Sequence, residues 1–519
     1  MSKTTIDLAS LKAVIRADLS RARRDYAFAF GIVLALGAVA ALVQTVGTAF
    51  ARIAYPFDLE WMEGGIVDHV RVVLAGKPLY REPSLAWTPF IYPPFYYWVC
   101  AVFMKAFGVS LFWARLVSVT SMLGCFALIG AFVRKEGGGW IGVLVAAGLF
   151  AITFKVTGYW LDLARVDSLF FALFLGGAYL TRFGKTPLAA ASSGLLLFLA
   201  FFTKQTGLVL ALPVLAAGFF LDRRRGLITA GVAVGLGVGA VQWMDLSSDG
   251  WFRYYVFKVA SQHVTPWDRW HEFVLQTFWT PMPVAVVLSL FALGVALRGR
   301  VVIAFYAGLV AVTWVNAFTG LIHDGGFQNA LIPYCGVLSL LSGVAVSWVL
   351  SQDGSKPLTR RLQALAAAAA FLQFLMLAYD QRECVPRRRD VTAGNAVVVR
   401  WRKLREQGEV FSFGFAYYGM LAGDPEIHAH TMALADVFKT GDPARTQPLL
   451  EDIQRSVRSR HYRRFVYDGS WRFLHPSVEQ TVRDTYRVQG QLFEVGVEDD
   501  RTWPRTGMQC RPNELFVTP

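Results

Sequence analysis

Charged residues are scarce and unevenly signed: they make up 17% of the 519 residues, with 37 Asp and Glu against 51 Lys and Arg. With 55% of the chain hydrophobic and 14% aromatic, too little polar surface remains for a soluble protein, and the apolar residues fall in long blocks. Cysteine is rarer still, at five residues, and no His/Cys spacing of the kind that selects zinc occurs. Neither an internal repeat nor a set of charges deep inside the apolar blocks is evident, which counts against a transporter. A cleavable signal pattern is also missing: Lys12, Arg16, Arg21, Arg23 and Arg24 make residues 1–26 a cytoplasmic amphipathic segment leading into an uncleaved span. The net charge of +14 does not point to nucleic acid, because Lys and Arg cluster in short turns between apolar blocks, where the positive-inside rule puts them.

What is present reads as a polytopic α-helical membrane protein. Twelve apolar stretches lie near 27–49, 91–108, 111–133, 139–157, 167–182, 188–203, 206–221, 226–245, 278–297, 301–319, 329–350 and 361–379. Each is close to the ~20 residues a helix needs to cross hydrocarbon. Arg134-Lys135, Arg182 with Lys185, Arg223-Arg224-Arg225, Arg298 with Arg300, and Lys356 with Arg360-Arg361 mark cytoplasmic turns. A cytoplasmic N-terminus and an external C-terminal region need an odd number of crossings. The expected total is therefore 11 or 13, with the irregularity between 91 and 157. The membrane module spans 27–379 with external loops at 51–90 and 246–277, and residues 380–519 form a separate external region.

The first external loop is the chemically dense stretch. Asp58, Glu60, Glu63, Asp68 and His69 fall within twelve residues at a membrane surface, where carboxylates are costly unless they bind a cation or a hydroxyl-bearing ligand, or take a proton. Solvated capping acids would give the same pattern. Trp87, Tyr92 and Tyr96 then stand in a proline-rich aromatic run, suited either to an interfacial belt or to packing against sugar rings. Arg165 and Asp167 open the span at 167, Lys204 is a lone cation between two apolar helices, and His323 begins the Gly-rich turn 323–329. Charges at the rim of a membrane bundle are candidates for a ligand site, although capping and snorkelling explain single residues as well. The loop 246–277, with Arg269 among Trp267 and Trp270, reads as amphipathic interfacial helices suited to a lipid phosphate.

In this order along the chain, the acid loop, Gly76-Lys-Pro-Leu-Tyr80, Tyr92-Pro-Pro-Phe-Tyr-Tyr97 and Arg165-Val-Asp-Ser168 resemble the GT-C superfamily of integral-membrane glycosyltransferases. That superfamily includes protein O-mannosyltransferases, lipid A aminoarabinose transferases and GPI mannosyltransferases. Asp58-Leu-Glu60 is similar to the Asp-x-Asp of the GPI mannosyltransferase first loop. Glu63-Gly64 stands where many bacterial members have Asp-Glu, but position 62 is Met. Leu163-Ala-Arg165-Val-Asp167-Ser168 is similar to the Arg-x-x-Leu-Asp-Ser of protein O-mannosyltransferases with the Arg one residue closer.

The resemblance, over about residues 27–350, implies transfer of a single sugar from a polyprenyl-phosphate donor to an acceptor hydroxyl on a glycan, lipid or protein. The reaction would take place at the extracytoplasmic face of the plasma (inner) membrane. Asp58 is the expected base, with Glu60 and Glu63 as alternates. Arg165, Asp167, Lys204, Arg269 and His323 are expected on the donor phosphate, and Trp87, Tyr92 and Tyr96 on the acceptor or sugar. Asp58 and Glu60 also offer hard oxygen ligands to a divalent cation such as Mg or Mn. Transfer of a whole oligosaccharide, or transport of a lipid-linked sugar without catalysis, are the rival readings.

After residue 380 the composition turns polar and strand-like runs at 409–415, 463–468 and 486–494 alternate with helical 446–459 and 476–485. This predicts a small α/β domain that packs on the membrane module. His428-Ala-His430 is too little for a metal site. Cys100, Cys125 and Cys335 lie in apolar spans. Cys384 and Cys510 remain as a candidate disulfide, worth roughly 4–5 kcal/mol in the chain-entropy model.

Overall fold

A computed structural model describes residues 26–519; the amphipathic segment expected over 1–26 lies almost entirely outside that range. Every apolar stretch forms a helix. In chain order these and one helix of the 51–90 loop are α1 (Tyr26–Ile53), α2 (Glu63–Leu74), α3 (Phe95–Phe107), α4 (Leu111–Lys135), α5 (Trp140–Ile152), α6 (Asp167–Phe183) and α7 (Pro187–Thr203). They continue as α8 (Gly207–Leu221), α9 (Arg223–Leu246), α10 (Pro283–Phe291), α11 (Arg300–Ile322), α12 (Ile332–Leu350) and α13 (Pro357–Leu377). Starts follow local chemistry: Ser110 caps α4 through Phe112 N–H, Thr186 caps α7 ahead of Pro187, and Asp222 caps α9. Helix α12 is the axis of the bundle, buried from Ile332 to Ser347. Its Gly343 lies against α5 so closely that a Cβ there would come 2.5 Å from the Gly142 carbonyl, the small-residue contact by which membrane helices approach one another.

The irregularity expected between 91 and 157 falls at α3. Its first turn touches α4, with the Tyr96 hydroxyl donating to the Ala114 carbonyl at 2.8 Å, and its last residue, Phe107, stacks on Trp113 at 4.7 Å. Both ends of α3 thus meet the first turns of α4, so α3 lies along one end of the bundle and does not cross it. Among the described residues this leaves eleven further helices in the bundle, α1 and α4 to α13. Six of them are long and apolar enough to cross a membrane, or seven with the bent pair Trp267–Trp279 and Pro283–Ala296 taken as one span. Others are short: α5 has 13 residues, about 20 Å at 1.5 Å per residue, and turns prolong it to Gly158. The basic turns gather at the end opposite α3, where Glu136 accepts from Arg182 and from the Tyr306 hydroxyl.

Residues 380–519 form the expected α/β unit. Strands β1 (Val410–Ser412), β2 (Arg464–Tyr467), β3 (Arg487–Gln491) and β4 (Glu514–Val517) make one sheet in the order β1-β2-β4-β3, parallel between β1 and β2 and antiparallel elsewhere. The unit docks onto the 51–90 loop through bonds to backbone carbonyls. Arg505 N–H donates to the Leu59 carbonyl at 2.7 Å, Ala429 N–H to the Leu85 carbonyl at 3.0 Å, and Arg71 to the Pro425 carbonyl at 2.7 Å. Cys384 is a buried free thiol, so the bridge to Cys510 does not form. Cys384 sits in the turn after α13, where its carbonyl accepts from Arg52.

Candidate active site

The acid loop folds around a cation that sequence reasoning passed over. Arg115, in the first turns of α4, points into the loop and donates from Nε and Nη2 to Glu63 at 2.9 and 2.6 Å, and to the Phe57 and Tyr55 carbonyls. Glu63 also accepts from the backbone N–H of Leu59 and of Ala164, both at 2.7 Å. Burial pushes the Glu63 carboxyl up, but Arg115 and the two N–H groups outweigh it and hold Glu63 below the usual carboxylate range. With every lone-pair direction used, Glu63 is a scaffold that ties α2, α4 and the 158–166 turn together.

Asp58 accepts from Gly64 N–H at 2.6 Å through one oxygen. Its other oxygen is buried without a hydrogen-bond partner, and burial together with the charge of Glu63 pushes it well above the ordinary range. His69 is also structural. Its Nδ1 lies 2.6 Å from the Gly65 carbonyl and its Nε2 accepts from Phe90 N–H at 2.7 Å, which assigns the neutral Nδ1–H tautomer. Burial pushes it down to about 3, and its ring stacks on Phe90 at 4.5 Å. His69 thereby sets the course of residues 90–92.

Glu60 differs from its neighbours in facing a cavity of about 640 Å³. Its Oε2 accepts from Arg165 Nη1 at 3.1 Å and from Met62 N–H at 3.3 Å, while Oε1 is buried with no hydrogen-bond partner. Burial pushes the carboxyl up to about 7 against the opposing pull of Arg165. Arg165 also donates to the Tyr92 hydroxyl at 3.1 Å, and its guanidinium lies over the Trp160 and Tyr92 rings at 5.2 and 5.7 Å. Beside it, Asp167 accepts from Lys204 Nζ at 2.7 Å, Asn329 at 3.0 Å and Trp160 Nε1 at 2.8 Å. The turn that brings Trp160 and Arg165 here bends at Gly158 and Tyr159, with φ of 76° and 57°, and a second buried pair, Arg52 with Asp162 at 2.7 Å, pins it.

Of the residues expected from sequence, Glu60, Tyr92, Arg165, Lys204 and His323 line this cavity, and Asp167 holds Lys204 at its wall. Asp58 and Glu63 lie behind it. Trp87 donates to the Leu79 carbonyl, and Tyr96 is bonded to α4; both are buried away from the cavity. Arg269 is exposed and paired with Glu272. The 246–277 loop instead contributes Ser261, His263 and Thr265 to the wall.

The C-terminal domain closes the cavity with Met432, Asp436, Lys439, Phe473, Gly507 and Met508, a role beyond the packing expected of it. Thr506 pairs with Glu60 across an isolated bridge. Gly507, at φ 71°, lies so near that a Cβ would come 3.0 Å from Glu60 Oε1. Among the described residues no three His, Cys, Asp or Glu side chains gather as a metal site. Asp58 and Glu60 each keep one bare oxygen, the kind of carboxylate donor through which Mg is held when waters complete its shell.

No family model and no curated protein matches the sequence. Solved structures do. ArnT from Cupriavidus metallidurans bound to undecaprenyl phosphate aligns over 93% of this chain and 97% of its own at TM-score 0.56 and 14% identity, and its apo state aligns equally at 15%. The archaeal oligosaccharyltransferase AglB from Archaeoglobus fulgidus, in complex with an inhibitory peptide and a dolichol-phosphate, aligns over 91% of this chain and 73% of its own at TM-score 0.50 and 10% identity. The chain is an integral membrane protein that shares the fold of these structures.

Proposed function

We propose that the protein transfers a single sugar from a polyprenyl-phosphate donor to an acceptor hydroxyl on a glycan, lipid or protein. The reading rests on one observation: Glu60, which keeps one carboxylate oxygen without a hydrogen-bond partner, lines the cavity beside Arg165 and Lys204. Such an oxygen accepts the proton of an attacking hydroxyl, and cations within the same wall stabilise the departing phosphate. Tyr92, Trp160 and Phe327 supply flat faces for a sugar ring. Two of the structures of similar fold hold undecaprenyl phosphate and dolichol-phosphate, which supports a lipid-linked donor.

A cavity of about 640 Å³ buries a ligand of roughly drug size. That suits one sugar and its phosphate better than a whole oligosaccharide. The basic turns opposite the site would face the cytoplasm by the positive-inside rule, which supports a cavity and C-terminal domain on the extracytoplasmic side of the plasma (inner) membrane. Purified protein incubated with a panel of polyprenyl-phosphate sugars and hydroxyl acceptors tests the reading. Release of polyprenyl phosphate with at least one donor supports it, and no release from any donor overturns it.

A further inference from the structure

Apart from His323, whose Nδ1 lies 3.0 Å from the Asp324 carbonyl, the cationic side chains of the cavity wall are matched to acids. Lys204 is held by Asp167 at 2.7 Å, Lys439 by Asp324 at 3.1 Å, His263 stands 3.2 Å from Asp436, and Arg165 is held by Glu60 at 3.1 Å. A phosphate must therefore compete with these acids for the cations of the wall. Among these pairs two acids keep a buried oxygen without a hydrogen-bond partner, Asp436 Oδ1 and Glu60 Oε1, and of the two Glu60 alone also accepts a hydrogen bond from its cation, at Oε2 from Arg165. Arg165 has capacity in reserve, since its Nε is buried without a hydrogen-bond partner. The Trp160 and Tyr92 rings hold its guanidinium in place.

We infer that Arg165 exchanges partners during the reaction, leaving Glu60 for the donor phosphate as Glu60 takes the acceptor's proton. This rests on the sugar-transfer reading above. The acceptor O–H proton passes to Glu60 Oε1, and the acceptor oxygen bonds to the anomeric carbon. The bond from that carbon to the phosphate oxygen breaks, its electron pair staying on the phosphate. Glu60 becomes a neutral acid and loses its hold on Arg165 at the moment the phosphate gains charge, so one ion pair serves as base and as leaving-group clamp. Lys204 does not exchange, because Asp167 keeps three donors throughout. Arg165 in the resting enzyme is therefore withheld from phosphate by Glu60, and removal of the Glu60 charge releases it.

Calorimetric binding of undecaprenyl phosphate to the full chain in detergent tests this, in buffers of different ionisation heat so that protons are counted. Glu60→Gln is expected to bind about ten- to a hundredfold more tightly than wild type, the worth of one charge-assisted hydrogen bond. Wild type is expected to take up more protons on binding than the variant. A general loss of negative charge would also tighten binding, so the double variant Glu60→Gln/Arg165→Met is decisive: it is expected to lose the gain. Equal affinity and proton count in wild type and Glu60→Gln, or a gain that survives in the double variant, overturns the exchange and leaves sugar transfer standing. Failure of both wild type and variant to bind the lipid overturns the donor class and the exchange with it. Should Glu60→Gln aggregate, Glu60→Asp, which shortens the reach to Arg165, is expected to shift binding the same way by a smaller factor, and no shift counts against the exchange.

Discussion

Replacing Arg115 by Met should destabilise the protein in a way that acid partly repairs. Arg115 is fully buried and donates to Glu63 and to the carbonyls of Phe57 and Tyr55. Its loss leaves a buried carboxylate with only the N–H groups of Leu59 and Ala164. Breaking one side of a buried ion pair costs about 3–5 kcal/mol. The sign with pH follows from Glu63. In wild type its folded pKa is lowered, so the pair contributes stability that is present above the unfolded value near 4.3 and lost as pH falls through the folded one. In the variant, burial is no longer opposed by Arg115 and the carboxyl is pushed up, so the penalty is largest at neutral pH and shrinks as Glu63 takes a proton in acid.

Thermal unfolding followed by tryptophan fluorescence in detergent, from pH 5 to 8, reads the difference. The double variant Arg115→Met/Glu63→Leu should recover at least about 1.5 kcal/mol relative to Arg115→Met, because it removes the uncompensated charge. A variant as stable as wild type, or a deficit independent of pH, refutes the scaffold role.

Gly507→Ala should lower transfer at least tenfold, because it strains a positive φ at a cost of order 1 kcal/mol and crowds Glu60; unchanged turnover would separate the C-terminal domain from the chemistry. Lys204→Ala should raise KM for the donor more than it lowers kcat for the acceptor, and steady-state kinetics with the donor varied reads this. Single cysteines placed in 51–90, 246–277 and 380–519 should react with an impermeant thiol reagent in intact cells while cysteines in the basic turns stay protected, and the reverse pattern would invert the orientation.

The helices were legible because apolar length is a strong signal: each of the twelve stretches is helical. Whether a stretch crosses is not contained in its composition. Helix α3 is as apolar as its neighbours, and only the contacts of Tyr96 and Phe107 with α4 show it lying flat. Arg115 was readable in principle, as a lone cation within the apolar stretch 111–133, the situation in which an intramembrane charge marks a function or a partner. What one stretch of sequence hides is which acid in a cluster is saturated. Glu63 and Glu60 differ by donors that come from residues 115, 164 and 165, far along the chain. The contribution of Gly507 and Phe473 to the cavity was likewise invisible, since it depends on how the C-terminal domain docks. Legible strands at 410–412, 464–467 and 487–491 were joined by one that was not, Glu514–Val517, which fills the place between β2 and β3.

The identity of the base is the centre of the account, and single-turnover transfer by wild type, Glu60→Gln and Asp58→Asn between pH 5 and 9 measures it. Glu60 must be ionised to act, and its carboxyl is pushed up to about 7, so the wild-type rate should climb tenfold per pH unit below 7 and level above it. Glu60→Gln should be slower by about 10²–10⁴ with that bend gone, while Asp58→Asn keeps the bend. A Glu60→Gln enzyme that turns over like wild type, beside an inert Asp58→Asn, would contradict it.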